Sequence, residues 1–178
     1  MPKLNIKDVV LAAVLFTITA ANIGYRIGAS KTRASPTVSE FKVGDVLPKF
    51  NLQSVAMTAT GEATAKRIAA GACHIIVLFS ATCAHCHDAA RRDSANTDTT
   101  RLPVMWVGVQ NKEGLGAFAS IITDRAPVYY SLDALALMQA KGVPAAFLVD
   151  KQNRVRSVMV YQGIEDHSAL RKQCTAST

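Results

Sequence analysis

Two cysteines, Cys83 and Cys86, stand one helical turn apart in the run Thr82-Cys83-Ala84-His85-Cys86. Thiols at this spacing can exchange a disulfide with another molecule. The thiolate is the attacking species, so the first sulfur has to be exposed and partly ionised near neutral pH. Ile75 to Phe79 is an unbroken β-branched and aromatic run, which predicts a strand buried on both faces. It stops at Ser80-Ala81-Thr82, and the stretch from Cys83 to about Asn96 predicts a helix. A cysteine at a helix N-terminus meets unpaired N–H groups and the positive end of the helix dipole, and both stabilise a thiolate. Cys86 is then placed to resolve the mixed disulfide. His85, between the two, is a candidate for further stabilising the Cys83 thiolate and so favouring the reduced form.

The same residues admit other chemistry. A C-x-x-C pair is half a zinc site, with His85 and His87 as extra ligands, yet no second Cys/His cluster follows at ligand spacing, and Cys73 and Cys174 are isolated. Cys83-Ala84-His85-Cys86-His87 also matches C-x-x-C-H, the c-type haem attachment pattern. Such a motif rarely follows a buried strand, and this chain continues as an α/β domain. An inert structural disulfide is the third alternative. The redox reading calls for no metal and no organic cofactor.

Further strands are predicted at Val104 to Val109 and Val128 to Tyr130, and helices at Lys112 to Ile122 and Leu132 to Lys141, the last stopped by Gly142. Ala145 to Val149 and Val155 to Tyr161 flank the polar run Asp150 to Arg154, which is a β-hairpin pattern. A short helix opens at Asp166 or Ser168. Alternation first and a hairpin last predict an α/β fold, a mixed sheet with a parallel part and an antiparallel edge. Trp106 belongs to the core, while His74 and His167 read as surface residues.

The chain has 178 residues, about half of them apolar, and a net charge of +7. That is enough for one domain and an appendage. The basic residues are scattered and do not alternate with aromatics, which argues against nucleic-acid binding. Val9 to Tyr25 carries no charge and has lysines before it and arginines after it. Its seventeen residues, at ~1.5 Å each, are near the lower limit for a bilayer core of ~30 Å. A cleaved signal peptide needs a shorter apolar centre and an A-x-A-like site, so an uncleaved signal anchor fits better. Residues 1–29 are therefore expected to be a cytoplasmic tip and a transmembrane helix, 30–40 a polar linker, and 41–178 the domain. Either reading of the N-terminus carries the domain across the membrane, where disulfides persist.

Three stretches, in order, resemble the thioredoxin-like superfamily, and specifically its membrane-anchored TlpA/ResA-like branch. They are Val43-Gly44-Asp45-Val46-Leu47-Pro48-Lys49-Phe50-Asn51-Leu52, the run IIVLFSATCAHC, and Lys141-Gly142-Val143-Pro144-Ala145-Ala146-Phe147-Leu148-Val149-Asp150. The resemblance implies a three-layer sandwich, a mixed sheet between helices, and a thiol–disulfide oxidoreductase in the periplasm, held to the inner membrane by its N-terminal helix. Cys83 would attack, Cys86 resolve and His85 tune. Val143 and cis Pro144 would receive the substrate backbone, with Thr82 beside them where thioredoxins usually carry Trp. Partners would be an exported protein with cysteines and a second redox protein that resets the pair. A non-catalytic binding or maturation module is the alternative. The acid of thioredoxin's central strand falls at Val77, and the glutamate of cytochrome c maturation members falls at Ala89. In this fold Cys73 and the end of the last helix approach the same side, so a Cys73–Cys174 disulfide is one reading and two small buried apolar residues are the other, and the sequence leaves the choice between them open.

Overall fold

A computed structural model describes residues 41–56, 59–98, 101–122 and 125–175. They belong to a unit spanning Glu40–Thr178. The anchor and linker expected at 1–29 and 30–40 lie outside the described residues. Among the described residues no helix is long and apolar enough to cross a membrane.

The strands in chain order are β1 (Gln53–Ala56), β2 (His74–Phe79), β3 (Val104–Gly108), β4 (Val128–Tyr130), β5 (Ala145–Val149) and β6 (Val155–Val160). The helices are α1 (Ala59–Ala69), α2 (Ala84–Ala95), α3 (Leu115–Ile122), α4 (Ala134–Leu137) and α5 (His167–Thr175). One sheet holds all six strands in the order β1-β4-β3-β2-β5-β6. β2, β3 and β4 run parallel, and β1, β5 and β6 join antiparallel at the two sides.

Side chains alternate across a strand, and β2 shows what that does here. Ile75, Val77 and Phe79 enter one core with Cys86 of α2, Phe118 of α3 and Leu170 of α5. Ile76 and Leu78 enter the other, with Ala134 of α4, Met138, Phe147 and the partly buried Phe41, Leu47 and Ile68. β2 is wholly buried because helices or loops cover both faces. Each large apolar side chain so buried contributes roughly 1.5–3 kcal/mol. The expected mixed sheet between helical layers is what the chain forms.

Three expectations fail locally. β1 and α1 were not expected: β1 is only four residues long, and α1 contains Gly61, two threonines and a single large apolar side chain, Ile68, so neither carries a clear period. The helix expected over Leu132 to Lys141 is only the single turn Ala134–Leu137. Ala134 and Met138 are the fully buried residues there, Leu132 is 71% exposed, and Gln139 turns the chain with φ 48°. His74 and His167 are buried, not on the surface. His74 Nδ1–H donates to the Ala72 carbonyl at 2.8 Å, and burial pushes its pKa down.

The β5–β6 turn is built on a buried carboxylate. Asp150 accepts the N–H groups of Gln152 and Arg154, each at 2.9 Å, and the Arg156 guanidinium at 2.6 Å. Burial pushes the carboxyl up, but these donors outweigh it and hold it below its usual range. The Cys73–Cys174 disulfide joins the start of β2 to the end of α5, with Cα atoms 6.2 Å apart.

Candidate active site

β2 delivers the chain to the site, and a tight turn converts strand to helix. Cys83 N–H donates to the Ser80 carbonyl at 3.1 Å, and the Ser80 and Thr82 hydroxyls lie 3.0 Å apart. Cys83 has extended backbone and is the N-cap of α2. Its sulfur accepts the Cys86 N–H at 3.2 Å. An N-cap side chain normally satisfies one of the free N–H groups of the first turn. Here sulfur does so, and negative charge on it would face the positive helix end.

The two thiols differ sharply in access. Cys83 is partly exposed and Cys86 is buried, and both are free. Burial among Val77, Phe79 and Ala89 pushes the Cys86 thiol up to about 12, and its hydrogen bond to Cys83 and the charge there act in the same direction. Cys83 is thus the sulfur an incoming disulfide can reach, while Cys86 keeps its proton until the second step. Val77, at the position of the acid that thioredoxins carry, adds only hydrocarbon to this wall.

Val143 and Pro144 face the pair. Their peptide bond is cis, and the Val143 carbonyl lies 3.7 Å from the Cys83 sulfur. The described residues give the Val143 N–H no backbone partner, so it is available to an extended chain. Two grooves meet at this dipeptide. One, of about 530 Å³, is lined by Met138, Phe147, Met159 and Val160. The other, of about 370 Å³, is lined by His85, Asp88 and Arg92.

The structure separates the two histidines of the motif. His85 is exposed in the first turn of α2 and its side chain makes no hydrogen bond or ion pair among the described residues, so any effect on Cys83 acts through space. His87 is the structural one, a role the sequence did not single out. Its Nε2–H donates to the Ala81 carbonyl at 2.7 Å, and its ring meets Phe118 edge-on at 5.0 Å. With Cys86 buried and His87 so engaged, these residues do not fit a C-x-x-C-H haem attachment. Among the described residues no three His, Cys, Asp or Glu side chains gather as a metal site. Thr82 is exposed beside Cys83, with its hydroxyl held by Ser80. Ser80 also escaped the sequence reading, since a lone serine after a strand carries no distinguishing signal.

No family model matches the sequence, and no curated protein matches it. Solved structures do match. One, from Chlorobium tepidum and provisionally named a thiol:disulfide interchange protein DsbE, is 18% identical with a TM-score of 0.55, covering 75% of this chain and 96% of that one. The fold is thioredoxin-like. A thiol-disulfide isomerase from Corynebacterium glutamicum is 17% identical with a TM-score of 0.51, covering 74% of this chain and 97% of that one. A protein of the thioredoxin-like superfamily is 16% identical with a TM-score of 0.50. In this thioredoxin-like domain, then, Cys83 and Cys86 occupy the junction of a central strand and the helix that follows it.

Proposed function

We propose that the chain is a thiol–disulfide oxidoreductase of the TlpA/ResA-like kind, tethered by the segment Val9 to Tyr25 with its domain outside the cytoplasmic membrane. One observation carries the activity: a partly exposed N-cap thiol, a buried partner thiol one turn on, and a peptide carbonyl 3.7 Å from the first sulfur. The two named structural relatives, described as a thiol:disulfide interchange protein and a thiol-disulfide isomerase, support the same reading.

In the reducing direction, the Cys83 thiolate attacks one sulfur of a client disulfide. A Cys83–client disulfide forms, and the client's other sulfur leaves as a thiolate that takes a proton from water. Cys86 then gives its proton to water and attacks the Cys83 sulfur. The Cys83–Cys86 disulfide forms, the client's second thiolate leaves, and two electrons have passed to the client. The oxidising direction is the same path reversed. The client is an exported protein with cysteines, its chain alongside Val143 and Pro144. A second redox protein restores the pair.

The test is insulin reduction by the full-length protein with dithiothreitol as reductant. Turnover is expected in the wild type and lost in Cys83→Ser. Equal rates in the two would sink the catalytic reading and leave a binding module. Cys86→Ser is expected to accumulate client mixed disulfides in the native host. Fractionation with protease treatment of spheroplasts tests the location; a domain digested only after lysis would overturn it.

A further inference from the structure

A network behind the site joins its two halves, and it lies outside the motif. Tyr161 follows β6. Its backbone N–H donates to the Pro144 carbonyl at 3.3 Å. Its ring is buried and meets Trp106 edge-on at 5.5 Å. Its hydroxyl donates to Asp93 Oδ1 at 2.5 Å. Asp93 is itself buried, on the face of α2 that also carries Cys86, Ala89 and Ala90. It stands two helical turns beyond Cys86, so it shares that face. The Arg101 guanidinium fixes the carboxylate, pairing with Oδ1 and donating to the Asp93 carbonyl at 2.9 Å.

The contacts form a closed circuit. It runs from the Cys83 sulfur down α2 to Asp93, across to the Tyr161 hydroxyl, through the Tyr161 backbone to Pro144, and back from the Val143 carbonyl to the Cys83 sulfur. We propose that Tyr161 and Asp93 are positioning residues that set the gap between the Val143-Pro144 segment and the attacking sulfur, and so govern docking of a client polypeptide. The proposal deepens the oxidoreductase reading and rests on it for its effect on clients. Burial and the Asp93 carboxylate hold the Tyr161 phenol well above its usual range, so the hydroxyl remains a donor at neutral and moderately alkaline pH. A purely packing role for Tyr161 would need the ring and not the hydroxyl.

Tyr161→Phe in the full-length protein separates the two. It keeps the ring and the backbone N–H and removes only the hydroxyl that ties the residue to Asp93. Reaction rates are compared for insulin, which must lay a chain along Val143-Pro144, and glutathione disulfide, which is small. The ratio of insulin rate to glutathione rate is expected to fall about tenfold, chiefly through KM, as fits the loss of one hydrogen bond to a charged group. An unchanged ratio, whether both rates hold or both fall together, overturns the proposal. Amide hydrogen exchange at position 161 gives a readout that needs no activity. It is expected to speed up about tenfold in the variant while β2 amides stay protected, and unchanged protection there overturns the proposal too. Were the wild type inert toward both disulfides, the oxidoreductase reading would fall on that result, and the exchange data would still decide whether the circuit exists.

Discussion

Cys86 makes the reduced protein sensitive to alkali in a way that can be worked from its burial. Its thiol moves from 9.0 to about 12, which at ~1.4 kcal/mol per unit makes ionisation harder by roughly 4 kcal/mol in the folded state. A raised folded value means that the neutral thiol's contribution is intact below the unfolded value, near 9, and is lost as pH rises toward 12. By linkage the loss is on the order of 1 kcal/mol at pH 10. The perturbation is a pH change from 7 to 10 under reducing conditions, applied to the wild type and to Cys86→Ala. Urea unfolding supplies the stabilities. Groups out of contact with Cys86, including the buried Tyr161, cancel in the comparison, and Cys83→Ala in both proteins removes the one group coupled to Cys86. The wild type is expected to lose about 1 kcal/mol more than the variant. A difference under about 0.5 kcal/mol would show that Cys86 ionises like an open thiol, and the division of labour between the two sulfurs would have to be abandoned.

The same burial predicts that resolution of a Cys83 mixed disulfide quickens about tenfold per pH unit between pH 6 and 8, as quenched-flow alkylation would read; a flat profile would point to a dedicated base. Cys174→Ser opens a disulfide whose cysteines are 101 residues apart. A closed loop of ~100 residues is worth about 4–5 kcal/mol in the chain-entropy model, so thermal melting without reductant is expected to shift down by on the order of 10–20 °C, and a shift under about 3 °C would refute that assignment of stability. At Gly163, φ is +77° and an added Cβ would sit 2.2 Å from the Ala89 carbonyl oxygen, so Gly163→Ala should destabilise by at least about 2 kcal/mol in denaturant titrations. Gly116, in α3 with open space around it, is the contrast: Gly116→Ala should stabilise by about 0.5–1 kcal/mol.

The sequence by itself determined the elements whose periods are strong. An unbroken run from Ile75 to Phe79 has to be buried on both faces, and cysteines that follow it directly have to sit where strand becomes helix. β3 was legible for the same reason, and β5 and β6 from the polar turn Asp150 to Arg154 between them. β1 and α1 were not, because a four-residue strand and a helix with few apolar side chains acquire their form from the neighbours they pack against. The Leu132 to Lys141 pattern misled because helical spacing matters only where several turns are buried, and here Ala134 and Met138 take up the only deeply buried places. Only the tertiary structure decided which thiol is reachable, since the burial of Cys86 comes from β2 and α2 together. It also turned His87 toward Ala81 and joined Cys73 to Cys174. Asp93, Arg101 and Tyr161 carry no local signal at all. Asp93 and Arg101 lie eight residues apart and Tyr161 lies 68 residues from Asp93, so the three become one buried network only when the sheet and α2 close around them, since a polar group taken out of water must find its partner there.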